Sequence, residues 1–382
     1  MQNFTFHNPT MLDFGKDKEM QIGLHIANFG VKKVLLTFGS NRIKNDGLFD
    51  KVVASLASHG IQFIECGGII SNPILSKVYE GIDIARNNQV EAVLSIGGGS
   101  VLDTSKAIAA GAKYDGDIWD LFIGKSPITT ALPVFDILTL AATGSEMNCG
   151  AVVTNEKTKQ KYAINAPALF PKVSVVNPAL MQTVTKDYLV YSAADIIAHS
   201  IEGYFTASVQ PHFQSRLVES IIKTVIETTE ILIADPMNYD ARSEFAWAST
   251  QALNGLIYSG TAGFNYPNHM IEHSLSALYN VPHGAGLSVV MPAWMTWYHT
   301  RNPEQFTRFA KEVFGVSTAL EGIAALESWF NKVGTPTKLA QFGITKSELP
   351  VILENVLGNA GYFGVADIYT SDVSTEILNN AF

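Results

Sequence analysis

The chain reads as an α/β half followed by an all-helical half. Three observations predict this. Short apolar, β-branched runs alternate with helix-spaced segments up to about residue 177. Those runs are apolar on both faces, as strands of a mostly parallel sheet covered by helices are. After about residue 186 strand signals nearly vanish and helical periodicity takes over. The boundary is therefore expected between Asn177-Pro178 and Lys186, giving domains of residues 1–184 and 185–382.

The elements follow in order. VKKVLLTF (31–38) predicts a strand, with GSNR after it. Leu48, Val52, Val53 and Leu56 carry helical spacing over 46–59. IQFIECGG (61–68) predicts a strand entering a glycine turn, and SKVYEGIDIARNN (76–88) a helix. VEAVLSI (90–96) is a strand running into Gly97-Gly98-Gly99, with a helix over 101–112. PVFDILTL (133–140) and KVSVVN (172–177) are the later strands. In the second half, helices are expected through YLVYSAADIIAHSIEGYF, SRLVESIIKTVIETTEILI and SEFAWASTQALNGLIYSG. They continue through QFTRFAKEVF, ALEGIAALESWFNKV and SELPVILENVL.

Composition bounds the function. Hydrophobic residues make up 47% of the 382, enough for about two cores. The net charge of −9 disfavours nucleic acid or an anionic membrane as partner, since both reward basic patches. Only Cys66 and Cys149 are present, with no CxxC pair. That removes a thiolate zinc site and a disulfide framework. No signal-peptide pattern or membrane-length apolar run is seen, so a cytoplasmic protein is expected.

Gly97-Gly98-Gly99-Ser100 lies between a strand and a helix. Glycines permit close approach, and a helix start offers free N–H groups and a positive dipole end, which suits a pyrophosphate. The loop is not GxGxxG. Ser100 and Asp103 also resemble a capping box with Asp as the shorter partner. A second cluster, Thr139 with Ala141 to Glu146, follows the next strand. Its hydroxyls suit ribose or phosphate, although an ordinary turn and cap explains them as well.

Of nine histidines, four fall near an aspartate in the helical half. Asp195 and His199 are four apart, as are His269 and His273, so each pair shares a helix face. His283 follows in VPHGAG. One carboxylate with several imidazoles suits a divalent transition metal and leaves a position for substrate. Spacing alone does not choose between His273 and His283 as the last ligand.

Taken together, these residues resemble the iron-containing (group III) alcohol dehydrogenases over nearly the whole chain, nearest the butanol dehydrogenase and NADPH-dependent aldehyde reductase branch. The resemblance rests on GGGSVLDTSK (97–106), ATGSE (142–146), DIIAH (195–199), and HMIEHSL with VPHGAG. It implies a Rossmann-like dinucleotide domain, a helical metal- and substrate-binding domain with dehydroquinate synthase-like architecture, and a homodimer. It implies Asp195, His199, His269 and His283 as ligands of Fe²⁺ or Zn²⁺, and His273 beside the substrate as a proton relay. The pyrophosphate would sit on Gly97, Gly98, Gly99 and Ser100. Asp103 belongs to the same pattern, Thr139, Thr143 and Ser145 would line the dinucleotide, and Lys161 resembles a coenzyme-contacting lysine of the NADPH branch. The substrate would be a small alcohol or aldehyde.

Many family members read TTxGTGSE where this chain has TLAATGSE, which fits the butanol dehydrogenase side. LLTFGSNR carries no acid after its strand. An acid there would bond the ribose 2′-OH and repel a 2′-phosphate. Gly39, Ser40, Asn41 and Arg42 could accept that phosphate, so NADP(H) is favoured over NAD(H). The competing expectations are a glycerol dehydrogenase-like or dehydroquinate synthase-like relative, a metal-dependent hydrolase, and a non-catalytic binding protein. Apolar surroundings in ADIIAHSIEG, NHMIEHSLSAL and VPHGAGLSVV favour a small aliphatic substrate over an anionic one.

Overall fold

The structure, a computed structural model, describes all 382 residues. They form two compact units: His7–Thr183, and Val184–Phe382 together with Met1–Phe6. The N-terminal segment is tied to the helical unit by the Gln2 N–H, which donates to the Gly260 carbonyl (2.9 Å).

The α/β unit holds β1 (Met11–Phe14), β2 (Lys33–Phe38), β3 (Gln62–Cys66), β4 (Ala92–Gly97), β5 (Val134–Leu138), β6 (Gly150–Asn155), β7 (Gln160–Asn165) and β8 (Val173–Val176). Six of these make one sheet in the order β1-β8-β5-β4-β2-β3, and every pairing in it is parallel. Period-two alternation divides the strand side chains between two cores. Val34, Leu36, Ala92, Leu94 and Ile96 face one, with Ile26 and Val52 from helices; Leu35 and Val93 face the other, with Val78 and Ile108. Apolar residues on both faces thus reflect helices on both faces, as expected.

The sheet's direction of growth reverses between β2 and β4. The chain passes outward from β2 to β3, then returns to place β4 on the other side of β2. Such a switch point, at the carboxyl ends of the strands, is where open parallel sheets bind ligands. Here those ends carry Gly39–Asn41 after β2 and Gly97–Ser100 after β4.

Two features were not expected. β1, the short edge strand, comes from MLDF, which is too brief to show a period. β6 and β7 form an antiparallel hairpin with Gly150 opposite Asn165 and Asn155 opposite Gln160. The predicted helix over 243–260 stops at Leu253, and Gly255 adopts φ +93° just beyond it. The capping box also does not form. The helix Gly99–Lys113 takes Gly98 as N-cap with no side-chain cap, because Asp103 bonds elsewhere.

The other unit contains nine α-helices between Lys186 and Ala381. The His283–Tyr298 helix packs on Lys186–Thr206, on Pro267–Tyr279 and on Ser371–Ala381. It is buried almost throughout. No helix of the protein is long and apolar enough to cross a membrane.

Candidate metal centre and dinucleotide site

The helix Lys186–Thr206 starts with Thr185 as N-cap and is buried along most of its length. It carries Asp195 and His199 on one face, 3% and 6% exposed. Pro267 opens the helix Pro267–Tyr279, where its missing N–H costs nothing, and sets His269 in the first turn. His283 is the first residue of the next helix.

These three elements converge on one atom. Asp195 Oδ1 lies 3.6 Å from His199 Nδ1, 3.6 Å from His269 Nε2 and 3.6 Å from His283 Nε2. Ligand atoms about 2.1 Å from a tetrahedral ion lie about 3.4 Å apart, so the spacing fits a cation. Asp195 Oδ1, His199 Nδ1 and His269 Nε2 are all buried without a hydrogen-bond partner. Buried polar atoms are rarely left so, and three aimed at each other indicate a missing positive partner. The set has the chemistry of a divalent transition-metal site.

The charges agree. Burial acts to raise the Asp195 carboxyl, but the imidazoles of His199, His269 and His283 hold it far below its usual range. Burial pulls His199 down to about 3, against the pull of Asp195, so its ring is neutral and ready to ligate. For His269 burial is outweighed by Glu202 and Asp195, and it rises to about 10. A cation entering there displaces a proton.

Two residues escaped sequence reasoning. Glu202 is fully buried; its Oε2 lies 2.6 Å from His269 Nδ1, and its Oε1 accepts the N–H groups of Asn268 (2.6 Å) and His269 (3.1 Å). Glu272, also fully buried, bonds His283 Nδ1 and the Ser276 hydroxyl. Each carboxylate backs an imidazole that faces Asp195 Oδ1, fixing its tautomer and orientation. The available signal was a lone glutamate within an apolar helical run, seven residues after Asp195 and eleven before His283.

His273 is 3% exposed, with its ring centroid 5.9 Å from that of His283 and 5.7 Å from that of Phe363. His269, His199 and His283 surround Asp195 Oδ1; His273 stands one helical turn further along, beside Glu272 and His283.

In the α/β unit the glycine loop meets the segment after β5. A Cβ on Gly99 would lie 2.4 Å from Thr143 Oγ1, one on Gly98 3.0 Å from Leu140 Cβ, and one on Gly97 2.4 Å from Val101 Cγ2. Packing alone therefore demands small residues here. The helix start still offers donors: Val101 and Leu102 N–H return to the Gly98 carbonyl, and the N–H groups of Gly99 and Ser100, which precede them in the first turn, have no carbonyl of their own helix to bond. Thr139 is 4% exposed, and its N–H donates to the Gly97 carbonyl (2.8 Å). Lys161, 4% exposed on β7, donates to Asn72 Oδ1 (3.1 Å). Ser40 and Asn41 are exposed, and Arg42 Nη1 donates to Thr183 Oγ1 (3.0 Å).

Asp103 and Ser145, expected beside the coenzyme, are bonded to each other and to the neighbouring backbone. The Ser145 hydroxyl donates to Asp103 Oδ1 (2.7 Å), and the Val152 N–H to Asp103 Oδ2 (3.0 Å). Lys106, fully buried, lies 2.8–3.2 Å from five acceptors on Ser145, Asn148 and Gly150.

Comparison with known proteins agrees with this arrangement. Residues 9–178 match the family model for iron-containing alcohol dehydrogenase, and residues 189–382 that for the C-terminal part of the same family. The chain is 41% identical over 372 residues to a probable NADH-dependent butanol dehydrogenase of Bacillus subtilis (strain 168), covering 95% of each. It is 33% identical over 367 residues to the NADPH-dependent aldehyde reductase of Escherichia coli (strain K12), covering 93% of each. The crystal structure of an NADH-dependent butanol dehydrogenase A from Thermotoga maritima superimposes with a TM-score of 0.97 at 46% identity, over 100% of this chain and 99% of that one. The chain belongs to the iron-containing alcohol dehydrogenase family of enzymes.

Proposed function

We propose that this enzyme transfers a hydride between a nicotinamide dinucleotide and a small aliphatic primary alcohol or aldehyde of about butanol size. One divalent ion, Fe²⁺ or Zn²⁺, is held by Asp195, His199, His269 and His283. The observation that carries the reading is the equal 3.6 Å spacing of three ring nitrogens around Asp195 Oδ1. When bound, the ion supplies Lewis acidity at the substrate oxygen and the nicotinamide supplies or takes the hydride.

The chain's own residues do the rest. Asp195 gives the ligand set its one negative charge. Gly99 and Ser100 N–H groups hold the pyrophosphate on the helix dipole, with Gly97, Gly98, Thr139, Thr143 and Lys161 around the dinucleotide. His273 gives or takes the proton at the substrate oxygen. Its assignment predicts that His273→Ala lowers turnover while bound metal stays near stoichiometric; loss of metal would make it a ligand instead.

The turn Gly39–Arg42 lacks an acid, which favours NADPH. A second reading, NADH, is supported by the NADH dependence named for the Bacillus subtilis and Thermotoga maritima proteins. The test is NADPH oxidation with butanal, followed by absorbance, using metal-loaded protein, chelated protein, and NADH in place of NADPH. Turnover that chelation abolishes is expected, and the ratio of kcat/KM decides the coenzyme. No turnover with either coenzyme, despite stoichiometric metal, overturns the reading in favour of another substrate class or a metal-dependent hydrolase.

A further inference from the structure

The glycines of the His283-Gly284-Ala285-Gly286 turn have separate tasks. A Cβ on Gly284 would lie 1.9 Å from the Tyr191 carbonyl oxygen, so Gly284 lets the helix start pack on the backbone of the helix that carries Asp195. A Cβ on Gly286 would lie 2.8 Å from Glu272 Cγ and 2.9 Å from its Oε1. The second glycine makes room for one side chain, Glu272. That carboxylate is fully buried, accepts the Ser276 hydroxyl through Oε1, and meets His283 Nδ1 through Oε2. Ser276 is itself fixed by the Val281 carbonyl (3.1 Å). A buried carboxylate is costly to hold, and here three separate residues are arranged to hold it against one imidazole.

The geometry points to Glu272 as a positioning residue that retains the metal: by accepting the Nδ1–H of His283, it commits Nε2 to the ion and fixes the ring plane. Resting on the metal centre proposed above, this adds a specific residue and makes Gly286 its seat. His283 needs the support most. It opens its helix, and its side chain is 24% exposed, against 9% or less for His199 and His269. Without an anchor its ring could turn away towards solvent.

The test uses the full-length protein and two readouts other than activity: the dissociation constant and chelator-driven release rate of Zn²⁺, and the visible absorption spectrum of the Co²⁺-substituted protein. Glu272→Ala is expected to weaken Zn²⁺ binding about 10- to 100-fold and to speed its release, with a changed Co²⁺ spectrum. Glu272→Gln keeps an acceptor for Nδ1–H, and binding should return to within about threefold of wild type. Gly286→Ala leaves every polar group in place but crowds Glu272, and should reproduce the loss seen with Glu272→Ala. The double variant should be no worse than either single one. Wild-type affinity in Glu272→Ala overturns the inference, as does Gln binding as weakly as Ala. If Glu272→Ala fails to fold, Gly286→Ala against Glu272→Gln decides alone. Absence of stoichiometric metal in the wild type would instead defeat the metal centre itself, so the two failures are distinguishable.

Discussion

Each unit of the molecule holds a cluster of interior charge, and the two are built in opposite ways. Under the glycine loop, Lys106, Asp103 and Ser145 bond one another and the backbone until donors and acceptors are all engaged. In the helical unit, Asp195 Oδ1, His199 Nδ1 and His269 Nε2 face a common point with no partner, while Glu202 behind them is fully bonded. Similar residue types thus make a structural knot in one place and a ligand seat in the other. What separates them is whether the buried atoms have partners within the chain.

The contrast predicts that function and stability come apart between the clusters. The largest effect is on activity. Asp195→Asn should lose bound metal and reduce turnover by at least about 10³-fold, because several kcal/mol of Lewis-acid stabilisation goes with the ion. The metal-free variant should nevertheless unfold within about 1 kcal/mol of metal-free wild type, since His269 keeps Glu202. Retained metal, or a variant that collapses without it, breaks the contrast.

Lys106→Met should behave the other way. It strands Asp103 and several carbonyls without their cation, an effect of about 3–5 kcal/mol on unfolding. Metal bound per folded molecule should stay at the wild-type level, because the ligands reside in the other unit. A denaturation midpoint close to wild type would mean that the knot is ornamental.

Much of this was legible in the sequence, for identifiable reasons. The parallel strands announce themselves because both faces are buried, so VLLTF and VEAVLSI are mostly apolar. Asp195 and the histidines around it show because helical periodicity converts a spacing of four into a shared face. The hairpin carrying Lys161 was not seen: VVTN and QKYAI alternate weakly, and partly buried strands blend with turns. That His283 rather than His273 faces Asp195 Oδ1 was illegible from spacing alone, since it depends on where one helix begins relative to another. Glu202 and Glu272 look, one residue at a time, like ordinary surface glutamates. Only tertiary packing puts them behind imidazoles. The bonds of Asp103 to Ser145 and Val152 were hidden too, because a motif tells where residues lie but not which partners they bond.

A subtler test lies in another buried acid. Asp136 on β5 sits in register with Ser95 on β4 and Ser174 on β8, all fully buried on the sheet face that carries the Leu35 core. Both its oxygens are buried, and the charged neighbours that bear on it are Glu146, which repels, and Lys106, which attracts. Burial, reinforced by Glu146 and opposed by Ser95 and Lys106, raises its carboxyl well above the usual value. Here the missing partner is a proton. In the unfolded chain the group ionises near pH 4, while in the folded chain it keeps its proton to higher pH. Over that window the folded state binds more protons, so its contribution to stability falls as pH rises, by at most about 1.4 kcal/mol per pH unit. Asp136→Asn removes the titration. The stability of the variant relative to wild type should therefore improve as pH rises above about 4, whatever its absolute value. Denaturation midpoints for the two proteins across that range measure the slope. A constant difference would mean that Asp136 is ionised in the folded protein, and that this cluster, like the metal centre, awaits a cation.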